Sequence, residues 1–543
     1  MNATRLLTTT SITNFTRNIH IGVLRQEQKI LQMLELPLQQ HSLFGYHCKS
    51  ASLPETLFST YSNIIESMVN PMAHQELNKN IIEPFLDTSY VTNSNLMTCN
   101  ISYNISNSYT DSMENNMAIC SSIEERSIID EQNYNALRNW ERSEKGKVQQ
   151  VDGDGAFVFR LLSFNILAQN LLEENYYLYK RHDRDALSWE VRKPLLLKEI
   201  LGAHADIICL QEMQEDHLNE FVKPFKELGY KYLYKKRTND KRDGLLLLYH
   251  SDQFNLIDYV KVEYYQPGIE LLNRDNVGIV AKLSFRDSPN TQIVIATTHL
   301  LFNPRRNDIR LAQTQLLFTE IERIAFIENT ESGPKYLPII FSGDFNLRPY
   351  TGVYKFITEG SFEYYGKGQN LEPTNFRPLS YILIPPRLRI TDNCQYFHLV
   401  IKRLRENIND NKKTKDSKCD DKQDEMYGIA VFNQTGFDAK KNEPQTIEIT
   451  KDDCIKFSSG KLTHPFNLRS VYKHADAHGN EEVTTNQGRW ITVDYIFYSD
   501  LEPVNIYTLP TLEKCTILPT IPNFAVGSDH LCLGATFKIL KKE

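Results

Sequence analysis

Between Phe157 and Ile539, short β-branched and aromatic runs alternate with longer amphipathic ones, and polar residues stand at the ends of the short runs. Runs of that length and composition read as strands, and strands alternating with helices define a mixed α/β sandwich. Strands are expected at Phe159–Phe164, Asp206–Leu210, Gly244–Tyr249, Val277–Leu283, Ile293–Thr298, Leu337–Ser342, Ile491–Tyr498 and His530–Ile539. Helices are expected over 188–202 and 308–327. In the second, Leu317, Ile321 and Ile324 recur at four- and three-residue steps, as one buried face requires.

The rest of the chain has a different texture. Residues 1–150 carry no sustained strand–helix alternation, and 88–122 is rich in Ser, Asn, Thr and Tyr, so this low-complexity region is expected to be mostly disordered. Residues 1–26 contain Arg5, Arg17 and Arg25 and no acidic residue, a composition like a mitochondrial transit peptide. They lack amphipathic periodicity, so a disordered polar tail is the stronger reading. The folded domain is expected over 151–543, interrupted at 402–427 by a segment of mixed charge that reads as a solvated insertion loop.

Composition excludes several classes. With 61 Lys and Arg against 68 Asp and Glu, the net charge is −7, so no bulk cationic surface is available for nucleic acid. No apolar run approaches the roughly 20 residues that span a bilayer. The nine cysteines include no Cys-x-x-Cys pair, which suits a reducing compartment such as the cytoplasm.

The polar residues at the strand ends form an ordered series: Asn165, Glu212, His299, Asp344 with Asn346, Asp494, and Asp529 with His530. Each alone is weak, because Asp and Asn are common turn formers and most histidines do no chemistry. Together, at strand ends that gather on one rim of a sandwich, they can converge. Carboxylate and amide oxygens suit a hard ion, Mg²⁺ or Mn²⁺. Two histidines able to pair with aspartates can donate protons to phosphate oxygens and offset developing charge. No nucleophile-elbow serine and no Gly-x-x-x-x-Gly-Lys loop is present. The combination points to metal-assisted attack of water on a phosphodiester.

This series resembles the endonuclease/exonuclease/phosphatase superfamily, whose fold is a four-layer αββα sandwich. Phe164-Asn-Ile-Leu-Ala-Gln169, Leu210-Gln-Glu-Met-Gln-Glu-Asp-His217 and Arg274-Asp-Asn-Val-Gly278 look like the branch that holds carbon-catabolite-repressor-type deadenylases, nocturnins and Angel proteins. Thr298-His-Leu-Leu-Phe-Asn-Pro-Arg-Arg-Asn-Asp308, Arg310-Leu-Ala-Gln313 and Glu482-Val-Thr-Thr485 are most similar to Angel proteins. The resemblance covers roughly 156–541 and implies roles for the series. Glu212 would be the main metal carboxylate with Asn165 beside it, and Asp344 would activate water. Asn346 would hold a phosphate oxygen, and His530 would stabilise transition-state charge with Asp529 near the metal. Asp494 would orient either His299 or His530. Asn303, Arg305 and Arg306 follow His299 and could bind phosphate, although a solvated loop is an equal reading for the arginines. Where many relatives have serine and proline, this chain has Leu347 and Gly527, from which altered loop shape is expected with activity retained.

The resemblance implies a metal-dependent hydrolase of RNA 3′ ends that removes a 2′,3′-cyclic phosphate. A 3′–5′ exoribonuclease shortening poly(A) is the alternative. A third reading is a protein bound to mRNA 3′ untranslated regions or to translation factors, but no convincing Tyr-x-x-x-x-Leu-apolar helix for a cap-binding factor occurs in 1–150. A monomer in the cytoplasm is expected, with nuclear or mitochondrial pools as alternatives.

Overall fold

The apolar strands are buried on both faces, and the two-residue period of their side chains divides the core into three. The computed structural model describes residues 126–144, 146, 155–413, 445–448, 454–518 and 520–542. The expectations of a transit peptide and of disorder over 1–125 lie outside the described residues, as does 414–427 of the charged insertion. Within 126–144 the expected disorder gives way to helix at 126–137 and to strand at Trp140–Arg142. The chain divides into Met1–Ile129, of which only 126–129 are described, as helix, and Asp130–Glu543, which carries the fold.

Seven strands form one sheet and six another. In chain order they are β1 (Trp140–Arg142), β2 (Ala156–Asn165), β3 (Ile207–Gln214), β4 (Tyr230–Lys236), β5 (Asp243–His250), β6 (Phe254–Glu263) and β7 (Val277–Phe285). The chain continues with β8 (Ser288–His299), β9 (Ile339–Asp344), β10 (Arg469–Ser470), β11 (Asp494–Ser499), β12 (Glu502–Tyr507) and β13 (Leu533–Leu540). The first sheet runs β1-β12-β13-β2-β3-β5-β4 and the second β10-β11-β9-β8-β7-β6. Strand β1 pairs with β12 ahead of residue 151, where the sequence alone begins the domain.

Alternation sorts the side chains. Phe159, Leu161, Ile207, Cys209, Leu245 and Leu247 of the first sheet meet Ile279, Ala281, Ile293, Ile295, Ile340 and Ile496 of the second. Their neighbours Leu162, Phe164, Ile208, Leu210, Leu246 and Leu248 point outward against helices α2 (Trp189–Gly202) and α3 (Glu215–Glu227). A shorter helix, α1 (Gln169–Glu174), precedes them. On the far side, Val280, Val294, Ala296, Phe341 and Phe497 pack under α4 (Asn307–Ala325). This is the αββα sandwich expected. Burial on both faces explains why the strands read as continuous apolar runs.

Three expectations change. Helix α4 is buried on nearly all sides, not along one stripe, because α5 (Gly352–Glu359) and the segment after it cover its outer face. The charged insertion is not loop throughout: residues 402–413 continue helix α6 (Phe397–Lys413), whose Arg403 pairs with the buried Glu322 of α4. Arg403 also lies over the Phe326 ring, 3.6 Å from its centroid, so a charged residue of this segment still packs on the fold. The last expected strand begins at Leu533, which leaves Ser528, Asp529 and His530 in the loop before it. Among the described residues, no helix is long and apolar enough to cross a membrane.

Candidate active site

Two parallel pairs bring the strand ends together. Strands β2 and β3 run parallel through a crossover containing α2, and β8 and β9 do so through α4. Such connections place successive carboxyl ends on one rim. Register completes the arrangement: Asp344 lies opposite His299 on one side and Asp494 on the other. All three share the pleat face of Ile295, Ile340 and Ile496, as Asn165 shares that of Phe159 and Leu161. The polar set is the rim end of the inter-sheet core.

Two backbone features adjust this frame. Glu212 has φ 62° at an irregularity in the pairing of β3 with β5. An extra residue of this kind re-aims a side chain, and Glu212 accepts hydrogen bonds from Asn165 Nδ2 (2.9 Å) and Ala168 N (3.0 Å). Gly343 has φ 145°, and a Cβ there would lie 2.0 Å from the Thr298 carbonyl oxygen, so only glycine can precede Asp344 without rearrangement.

Around Asp344 the sheets meet. Its Oδ2 accepts from Asn165 Nδ2 at 3.0 Å and lies 3.5 Å from His299 Nε2 and 3.8 Å from His530 Nε2. Its Oδ1 accepts from the backbone N–H of Asn346 at 2.9 Å. His530 Nδ1 lies 2.9 and 3.1 Å from the two oxygens of Asp494, so Asp494 serves His530 and not His299. Ligand-capable atoms of Glu212, His299 and Asp344 lie within 4.8 Å of one another, and the same holds for Asp344, Asp494 and His530. Asp529 stands beside His530, with Oδ1 3.9 Å from Nε2.

The cleft is crowded with negative charge. Burial and the nearby Asp529 carboxylate push the Glu212 carboxyl up, and burial with the Asp494 charge does the same to Asp344. Burial opposes a charged His530, but the Asp494 and Asp529 carboxylates outweigh it and hold its imidazolium well above the usual histidine range. Burial and the Arg237 guanidinium push His299 down to about 3, leaving it neutral. The donor set is rich in oxygen, and Oδ1 of Asp529 is buried without a hydrogen-bond partner. These features fit a hard divalent cation, which would relieve the crowding of the carboxylates.

Other expected residues are placed differently. Asn346 spends its amide N–H on the Leu300 carbonyl at 3.0 Å. Asn303 and Arg305 lie in an exposed loop, where the Asn303 side chain accepts the Arg305 N–H at 3.0 Å. Arg306 is engaged with Asp308, its Nε and Nη2 at 2.9 and 3.0 Å from the two carboxylate oxygens. The departures are accounted for locally. Leu347 is buried under α4, with its carbonyl accepting the Tyr495 hydroxyl at 2.8 Å. At Gly527 a Cβ would lie 2.7 Å from the Arg192 carbonyl oxygen and 2.9 Å from Leu196 Cγ, so helix α2 leaves no room for a side chain.

Sequence reasoning missed several supporting residues. Buried Arg192 ties together the Ile166, Leu167 and Gly527 carbonyls at 2.9 to 3.2 Å. Gln313 accepts the Leu301 N–H and donates to Asn276, which donates to the His299 carbonyl, all at 3.1 Å. Arg237 forms an ion pair with Asp243 at 2.6 Å. The Arg-Leu-Ala-Gln motif was the available signal for Gln313, and Arg274-Asp-Asn-Val-Gly278 for Asn276; Arg192 and Arg237 carry no distinctive spacing.

The sequence profile described as the endonuclease/exonuclease/phosphatase family matches residues 162–530. Human protein angel homolog 2 is 35% identical over 447 residues, covering 74% of this chain and 75% of that protein. The Drosophila melanogaster protein angel is 30% identical over 394 residues, covering 70% of this chain and 81% of its own. Among solved structures, ANGEL2, a 2′,3′-cyclic phosphatase in complex with adenosine-2′,3′-vanadate, superposes with a TM-score of 0.57. It is 34% identical, over 74% of this chain and 98% of that one. The chain belongs to the endonuclease/exonuclease/phosphatase family, in its Angel branch.

Proposed function

We propose that this protein is a divalent-metal-dependent phosphoric ester hydrolase that removes 2′,3′-cyclic phosphate from RNA 3′ ends. The observation that carries this reading is the His530–Asp494 pair set against Asp344 and Glu212, in a chain that aligns with nearly the whole of a 2′,3′-cyclic phosphatase. Glu212, with Asn165 beside it and Asp529 nearby, would hold Mg²⁺, or Mn²⁺ in its place. When bound, the cation supplies a Lewis acid for the phosphate oxygens.

The chain's own groups do the rest. Asp344, held by Asn165 and the Asn346 N–H, takes the proton of the attacking water. His530, kept protonated by Asp494, donates its Nε2–H to the phosphate as negative charge builds. Neutral His299 orients a phosphate oxygen from the other side of Asp344. Water oxygen bonds to phosphorus, one ribose P–O bond breaks, and the proton passes to the released ribose oxygen. A second water attacks the resulting monoester, the remaining ribose P–O bond breaks, and inorganic phosphate and a 2′,3′-diol are released. Arg305 and Asn303, in the exposed loop that follows His299, would bind the preceding phosphate. RNA with a 2′,3′-cyclic phosphate end is the partner in this reading.

Full-length protein is incubated with Mg²⁺ and oligonucleotides ending in 2′,3′-cyclic phosphate, 3′-phosphate or poly(A) 3′-hydroxyl. Loss of the terminal phosphate without shortening is expected. Progressive shortening of poly(A) establishes deadenylation instead, and no reaction with any substrate overturns the hydrolase reading.

A further inference from the structure

Asp529 is held in an unusual way. Its Oδ2 accepts the Tyr179 hydroxyl at 2.8 Å and Gln487 Nε2 at 3.3 Å. Its carbonyl accepts Thr485 Oγ1 at 2.7 Å and the Asn486 N–H at 2.9 Å. Both groups fix one end of the residue, yet Oδ1 has no hydrogen-bond partner although Asp529 is only 1% exposed. A buried carboxylate oxygen left bare is costly unless something outside the protein takes it. Its charged neighbours are His530, Glu212 and the buried guanidinium of Arg192.

Tyr179 reaches Asp529 from a distance in sequence. It ends the short 3-10 turn Tyr176–Tyr179 that follows α1, and its ring packs with Leu167, Leu172 and Leu187 in a small cluster apart from the three main cores. The cluster anchors the ring, and the hydroxyl is left to point at the carboxylate. Gln487 comes from the hairpin of Thr485–Asn486 and Trp490–Ile491. In that hairpin's approach Thr484 Oγ1 accepts the N–H groups of Val493 and Asp494 at 3.0 and 3.2 Å. The Thr484-Thr485 pair therefore grips both aspartates that flank His530.

We propose that Tyr179 and Gln487 are positioning residues that lock Asp529 through Oδ2 and so present Oδ1 to the coordination sphere of the divalent cation. This rests on the metal-dependent reading above. Partners of this kind on a ligand carboxylate typically change metal affinity by 10–100-fold.

The test uses the full chain and Mn²⁺, whose free aqua ion is counted by electron paramagnetic resonance without any substrate. Tyr179→Phe keeps the ring in its cluster and removes only the hydroxyl; Gln487→Leu removes the second donor, and Asp529→Asn sets the ceiling. Tyr179→Phe and Gln487→Leu are each expected to weaken Mn²⁺ binding by about tenfold, with the melting temperature in ion-free buffer unchanged and KM for RNA at saturating Mn²⁺ unchanged, and Asp529→Asn is expected to weaken binding further. The proposal is overturned if the double variant binds Mn²⁺ within about twofold of the parent. It is also overturned if affinity falls only in step with the melting temperature, or if the parent binds no Mn²⁺. A parent that binds Mn²⁺ but hydrolyses no RNA end removes the functional reading alone, because the ion affinities still judge the grip on Asp529.

Discussion

The carboxylate of Asp494 and the imidazole of His530 meet at 2.9 Å although they come from different sheets. Asp494 opens β11 of the six-stranded sheet, and His530 lies just before β13 of the seven-stranded one. The charge state of the histidine is therefore set by how the two sheets dock. Asp494→Asn keeps the shape and removes the charge. Under single-turnover conditions with a cyclic-phosphate oligonucleotide, its rate is expected to fall about 10²–10⁴-fold, the usual range for a positioned proton donor. A fall of less than tenfold in that rate would remove His530 from the chemistry.

Glu212 is half-buried beside Asp529, so a cation binding there also stabilises the fold by mass action. Adding Mg²⁺ to ion-free protein is expected to raise the melting temperature, by an amount equivalent to about 2.7 kcal/mol at one hundred times the dissociation constant. Glu212→Gln is expected to abolish the rise. Calorimetric melts with and without chelator check both halves.

His464 gives a pH dependence remote from the cleft. Its Nε2–H donates to the Phe356 carbonyl at 2.8 Å and its Nδ1 accepts the Phe466 N–H at 3.1 Å, an arrangement that only the neutral ring can make. Burial pushes its pKa down to about 4. The unfolded chain takes up a proton below about 6.5 that the folded chain refuses. Stability is thus present above that value and lost as pH falls toward 4, by on the order of 3 kcal/mol for this residue. Urea unfolding of the parent and His464→Gln at several pH values is expected to show the advantage of the parent shrinking over that interval. His474, also pushed down to about 4 by burial, adds a loss of the same sign to both proteins.

Gly527→Pro would restore the residue that many relatives carry before Ser-Asp-His. Here it collides with the Arg192 carbonyl and Leu196 of α2. A loss of about 1–3 kcal/mol in urea unfolding is expected, together with reduced activity, since Arg192 joins the Gly527 carbonyl to the Ile166 and Leu167 carbonyls beyond Asn165.

Arg310 braces the loop after His299 through the Leu301, Phe302 and Asn303 carbonyls at 2.8 to 3.0 Å. Lysine cannot reproduce that planar fork. Arg310→Lys is expected to raise KM for RNA by about tenfold, equivalent to about 1.4 kcal/mol of binding. Steady-state kinetics that show kcat alone affected would contradict a role in shaping the approach to the site.

The central strands were legible because burial on both faces leaves long apolar runs, as in Gly244–Tyr249 and Ile293–Thr298. Strand β4, Tyr-Lys-Tyr-Leu-Tyr-Lys-Lys, lies at a sheet edge, is largely half-exposed, and offers no such run. The segment of α6 from Lys402 onward is rich in charge, and the place of Arg403 in the fold is invisible until Glu322 is seen beneath it. The polar series was legible in its residues and order, but the choice between His299 and His530 as partner of Asp494 depends on three-dimensional docking. Tyr179 and Gln487 had no signal, since one of three tyrosines in a short turn and a single glutamine in a hairpin have no spacing to betray them.

The shared pleat face of Ile295 with His299, Ile340 with Asp344 and Ile496 with Asp494 limits how these strands can vary in length. Because side chains alternate, inserting or deleting one residue between the members of any pair would turn the polar one toward the helices while the apolar one stayed in the seam. Substitutions can accumulate along these segments, but a single-codon gain or loss there would dismantle the cleft without changing any of its residues.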